Sequence, residues 1–127
     1  MTIKNLFIFG AIVALFFGLL LVVAPEALAK QVFINPTLSD TALAVSRNYG
    51  IVLFSVGVAV FLARNSVPSA ARRGFIVQMT LSGLLLCAID VYNIISGLNK
   101  SAAWGVAIIT GILGIWGLLA LTRESKA

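Results

Sequence analysis

Arg47 and Asp90 are the only charged residues that fall well inside the long apolar stretches of this chain. A charge at the centre of a bilayer costs roughly 3 kcal/mol on insertion scales, and less near the interface. Neither charge suits the dipole of its own helix: Arg47 sits near a positive N-terminal end and Asp90 towards a negative C-terminal end. Each therefore calls for a partner. Arg47 precedes Arg64 by 17 residues, and Asp90 follows Arg73 by the same 17. At the ~1.5 Å rise of a helix, both lie about 25 Å from one basic boundary, on antiparallel neighbours. The spacing predicts an Arg47–Asp90 ion pair a turn or so below the opposite interface. Asn48 follows Arg47, Asn93 lies three residues beyond Asp90 on the same helical face, and Tyr49 and Tyr92 flank this level.

Two chemistries fit such a cluster. A buried ion pair can fix the register of two helices even when it adds little stability. Alternatively, the level is a polar pocket in which Arg47 binds an anionic head group or a quinone-like carbonyl, oriented by Asp90 and Asn93.

Other chemistry is restricted by what the chain lacks. There is no histidine and a single cysteine, Cys87, within an apolar stretch. His-ligated haem or zinc, His-based general catalysis and dithiol chemistry are thereby excluded. Met79 and Cys87 read as packing residues. One intramembrane carboxylate with no base partner and no broken span is a weak basis for an enzyme or a proton-coupled transporter. No catalytic residue, metal site or cofactor is expected.

The elements that position these residues follow from composition. The chain has 127 residues, 61% hydrophobic and only 10% charged, with a mean hydropathy of +1.10. A soluble domain of this size needs far more polar surface. Four apolar stretches, about 6–24, 40–63, 72–98 and 102–121, are each long enough for a helix to cross the ~30 Å hydrocarbon layer. Backbone polar groups in lipid must be satisfied within the segment, so the expected fold is all-α. Short connections at 65–71 and 98–102 predict that spans 2, 3 and 4 pack as antiparallel sequence neighbours. Span 1 would close them into an integral membrane up-down four-helix bundle, a single domain over 1–127.

Local signals refine this picture. Lys4, an apolar run and Ala27-Leu28-Ala29 imitate a signal peptide, but the run exceeds the ~7–15 residues of such segments. Gly10, Ala14 and Gly18 also form a small-residue stripe suited to close packing, so Leu6 to Ala24 reads as a retained span. In span 4, Gly105, Gly111, Gly114, Gly117 and Ala120 suggest the same use. Pro25 and Glu26 suit a helix start, and the stretch from Pro25 to Phe33 reads as a short interfacial helix ended by Asn35-Pro36. Thr37 or Ser39 can cap span 2.

The net charge of +5 resides at span ends, so it speaks for orientation rather than for nucleic acid. Lys4, Arg64, Arg72, Arg73, Arg123 and Lys126 gather on one side, against Lys30 and Lys100 on the other, or three residues if Arg47 is counted there. The positive-inside rule then places both termini and the Pro68 turn in the cytoplasm.

The order of these features resembles small bacterial membrane proteins with DoxX-like four-helix topology. The matching elements are Ala24-Pro25-Glu26, Arg47-Asn48-Tyr49-Gly50, Pro68 to Arg73, and the turn from Asn99 to Trp104. The resemblance implies a multi-pass protein of the bacterial inner membrane and carries over no catalytic residue. Small multidrug transporters, of similar size, rely on an acidic residue in the first span, which Leu6 to Ala24 lacks. The leading expectation is a non-enzymatic accessory subunit packing against partner helices, with a binder of a lipid-like or quinone-like ligand as the alternative. Expected partners are the lipid bilayer and either other membrane subunits or further copies of the chain.

Overall fold

The computed structural model describes residues 2–124. Lys126, which the charge count uses, lies outside the described residues. Five α-helices follow one another: α1 (Ile3–Val23), α2 (Pro25–Val32), α3 (Asp40–Leu62), α4 (Ala70–Ile95) and α5 (Trp104–Glu124). Short 3-10 turns at Ala63–Asn65 and Ser101–Ala103 extend α3 and precede α5. No strand occurs among the described residues, only an isolated bridge between Phe33 and Asn99. Four of the helical stretches are long and apolar enough to cross a membrane: Ile3–Val23, Asp40–Asn65, Ala70–Ile95 and Ser101–Arg123.

The helix limits have local causes. Thr2, Ser39 and Ser69 sit at N-caps, and their hydroxyls accept from the N–H groups of Asn5, Ala42 and Arg72. Each satisfies a donor that the first helical turn leaves free. Pro25 opens α2, where a missing N–H costs nothing. The chain leaves α4 at Ile95, earlier than the expected residue 98, because Gly97 turns left-handed at φ 74°. The Asn93 carbonyl then accepts from the N–H groups of both Leu98 and Asn99, closing the helix end.

Helix pairing departs from the expected pattern. Spans 1 and 2 (α1 and α3) form one close antiparallel pair, and spans 3 and 4 (α4 and α5) form the other. Spans 2 and 3, expected to be packed neighbours, barely meet along their length. The reason is the placement of small residues. A Cβ added at Gly18 would lie 2.6 Å from the Phe54 N and 2.9 Å from the Gly50 carbonyl. Helices α1 and α3 are thus in backbone contact. Gly83 and Gly114 do the same for α4 and α5. The facing sides of α3 and α4 instead carry Tyr49, Leu53 and Val56 against Gln78, Ser82 and Leu86, which hold them apart. In lipid such close backbone approach is the main route to helix association, so the glycines, not the short turn, decide which helices pair. Gly105 is an exception to the expected stripe, since nothing stands near it.

The two pairs are joined at both ends. At the end holding the termini and the Pro68 turn, Leu6, Phe7, Ala11, Val60, Ile76, Met79, Leu113 and Ala120 form one buried cluster drawn from all four long helices. At the other end, α2 is strapped to the α4–α5 turn. Ile34 N–H donates to Leu98 O, Lys100 N–H to Val32 O at 2.7 Å, and Lys100 Nζ to Lys30 O at 2.7 Å. Between these ends the pairs part.

Candidate functional site: a lateral crevice and an interfacial cleft

The gap between the pairs is a cavity of about 180 Å³, lined by residues of all four long helices. Its floor is α1 and α5, which touch through Gly10 and Leu113. Its walls are α3 and α4, which barely meet along their length. The lining is overwhelmingly apolar: Val13, Phe17 and Leu21 from α1, Leu53 and Val56 from α3, Leu86 from α4. Polar groups are few and sit on the walls and floor. Thr110 donates to Val106 O and Ala107 O, Ser82 donates to Gln78 O, and Gln78 Nε2 donates to Ser82 Oγ at 3.2 Å. Back-bonding of this kind keeps hydroxyls satisfied inside a span. Tyr49 and Asp90 also line the crevice, from opposite walls.

Asp90 is half-buried, and its carboxyl group makes no hydrogen bond or ion pair with any described residue. The expected Arg47–Asp90 pair is not formed. Tyr49, two residues on from Arg47, borders the same cavity as Asp90, whereas Arg47 does not. Arg47 lies three residues before Gly50, on the side of α3 that meets α1 and α2. It lines a second cavity of about 390 Å³ with Val23, Ala24, Pro25, Glu26, Ala27, Lys30 and Leu43. Two residues of helix turn through about 200°, so Tyr49 and Arg47 face opposite ways. Asn48, Tyr92 and Asn93 line neither cavity; Asn48 and Tyr92 are exposed, and Asn93 serves the end of α4 through its carbonyl.

The single predicted site is therefore two sites of opposite character. One is an apolar crevice holding an acid, and the other is an interfacial cleft holding two bases and one acid. The crevice residues Ser82 and Thr110 bond back to carbonyls of their own helices. The readable signal for their shared cavity was the pairing of glycines, which leaves the α3–α4 seam without a small-residue contact.

The separation has a direct consequence. In a cycle of Arg47→Ala, Asp90→Ala and the double variant, thermal stabilities should add within about 0.5 kcal/mol, as for independent sites. A coupling well above that would mean the two side chains do interact. The charge-swapped double variant should likewise recover nothing over the single swaps.

Fold and site together define the class: an all-α chain of four long apolar helices in two glycine-packed pairs, with a crevice between them. No protein-family model, no curated protein and no solved structure matches this chain.

Proposed function

We propose that this is a non-enzymatic, multi-pass membrane protein that binds a lipid-like amphiphile in the crevice between α3 and α4. The reading rests on one observation. Asp90 opens into an apolar cavity with no hydrogen-bond or ion-pair partner among the described residues. An unpartnered carboxyl group at this depth is costly, and a ligand head that donates hydrogen bonds to it offsets that cost. Tyr49, across the crevice, supplies a second polar contact near the same level. The apolar remainder suits a hydrocarbon chain or small ring: the volume slightly exceeds the ~150 Å³ of a cavity that takes up benzene. A partner helix is ~10–12 Å across and does not fit. A cavity of this size favours a ligand over an accessory role for this seam. Arg47 lies outside the crevice, so no cation among the described lining residues meets an anionic head there. The favoured head is a hydroxyl or an amine.

The test is native mass spectrometry after gentle detergent extraction. The wild-type chain should carry one retained amphiphile. Leu86→Trp, which fills the crevice, should release it, whereas Leu85→Trp, on the exposed face one residue away, should not. Equal retention by both variants would sink the reading.

For location, the DoxX-like order of motifs and the distribution of Lys and Arg support a bacterial inner membrane with both termini in the cytoplasm. Cysteines introduced at Ser69 and Ser39, in a Cys87→Ala background, test this in intact cells. A membrane-impermeant thiol reagent should label the Ser39 position and spare the Ser69 position; the reverse pattern would invert the topology.

A further inference from the structure

The cleft that receives Arg47 is independent of the crevice, and its chemistry is distinct. It forms where α1 ends, α2 begins and α3 passes, so it lies at the level at which the long helices leave the apolar layer. Its walls are Val23 and Ala24, the first turn of α2 (Pro25, Glu26, Ala27), Lys30 one turn further, and Leu43 and Arg47 from α3. Arg47 and Lys30 come from different elements and converge on one cavity. Neither is held by an ion pair with Glu26 or any other described residue. The Lys30 carbonyl accepts from Lys100 Nζ at 2.7 Å, so the backbone beneath the cleft is pinned to the α4–α5 turn. The cleft is therefore a fixed feature rather than a loose surface loop.

We infer that this cleft binds a phosphodiester, held by Arg47 and Lys30 beside the first turn of α2. The charge balance favours one such group. Arg47 and Lys30 against Glu26 leave the cleft lining with one net positive charge, matched by the single negative charge of a phosphodiester. Guanidinium geometry suits phosphate oxygens, which it can grip with two parallel hydrogen bonds. The positive end of α2 adds to the attraction. Val23 and Leu43 supply apolar contact beside the charges, as expected for a head group that carries hydrocarbon chains. Basic clefts between membrane helices bind lipid head groups by this combination.

The probes are short-chain phosphatidylglycerol, short-chain phosphatidylcholine and inorganic phosphate, added to detergent-solubilised protein and read by native mass spectrometry or calorimetry. Phosphatidylglycerol should bind more tightly than phosphatidylcholine, and the Arg47→Ala/Lys30→Ala variant should lose about tenfold or more in affinity for it. Unchanged affinity in that variant would overturn the inference. Glu26→Gln, a minimal change on an exposed residue, should tighten binding by removing a repulsive charge; no gain would count against the site. Leu86→Trp should leave this affinity untouched, which separates the cleft from the crevice: a loss there would mean the head group is read by the crevice instead. Displacement by inorganic phosphate at millimolar concentration would assign the site to a soluble phosphate. Resistance to displacement would assign it to the lipid.

Discussion

Gly83→Leu should leave no stably folded protein, and even Gly83→Ala should unfold more readily than wild type. A Cβ at this position would lie 2.5 Å from the Gly114 N, 2.7 Å from the Thr110 O and 2.8 Å from the Gly114 Cα. All three are backbone atoms, which cannot rotate aside, so a methyl group has to push α5 away from α4 as a body. Overpacking of this kind costs about 1–3 kcal/mol. The helix-propensity gain of alanine over glycine, up to about 1 kcal/mol, recovers only part of it. Gly74→Ala is the comparison, because nothing lies within 4 Å of its added Cβ. That substitution should stabilise α4 by about 0.5–1 kcal/mol. Thermal unfolding in detergent micelles measures both. A Gly83→Ala protein as stable as wild type would show that the α4–α5 contact is not the close backbone packing described.

Phe7→Ala should be almost as damaging, by a different route. Phe7 is fully buried, and its ring meets Phe75 edge-on at 6.4 Å between centroids. It belongs to the cluster that joins the two helix pairs at the terminal end. Truncating a buried phenylalanine costs about 3–5 kcal/mol. The lower end applies here, because lipid rather than water receives the side chain when the contact opens. The structural signature should differ from that of Gly83. Each pair keeps its own glycine contacts, while the pairs separate from one another. Spin labels on α1 and α5 should show broadened distances in Phe7→Ala, and labels on α4 and α5 should not. Broadening within the α4–α5 pair instead would refute the division of the fold into two units.

These two residues also mark what the amino-acid order reveals and what it leaves hidden. The four spans, the interfacial α2, the cap at Ser39 and the break at Asn35-Pro36 are local matters of periodicity, capping and chain stiffness. They emerge within a few residues of their expected limits. The depth expected for Arg47 and Asp90 rests on a local quantity too, the fixed rise per residue. Rotation of each helix about its axis is not local. It depends on which faces meet, and the assumption that a short turn implies lengthwise packing placed α3 against α4. Gly18, Gly50 and Gly57 on one pair, and Gly83 and Gly114 on the other, carried the correct pairing. Reading them as partners across helices, rather than as a stripe within each, would have turned Arg47 away from Asp90.

The strap between α2 and the Asn99–Lys100 turn closes the connector end of the bundle, as the buried cluster closes the terminal end. A molecule that enters the crevice through the seam between α3 and α4, which barely meet along their length, comes sideways from the leaflet. Its supply is then governed by mole fraction in the leaflet rather than by concentration in water. Two compounds with equal contacts in the crevice but different partition coefficients would occupy it unequally. Occupancy measured in membranes should scale with the ratio of amphiphile to host lipid and stay constant when the aqueous volume is changed at a fixed ratio.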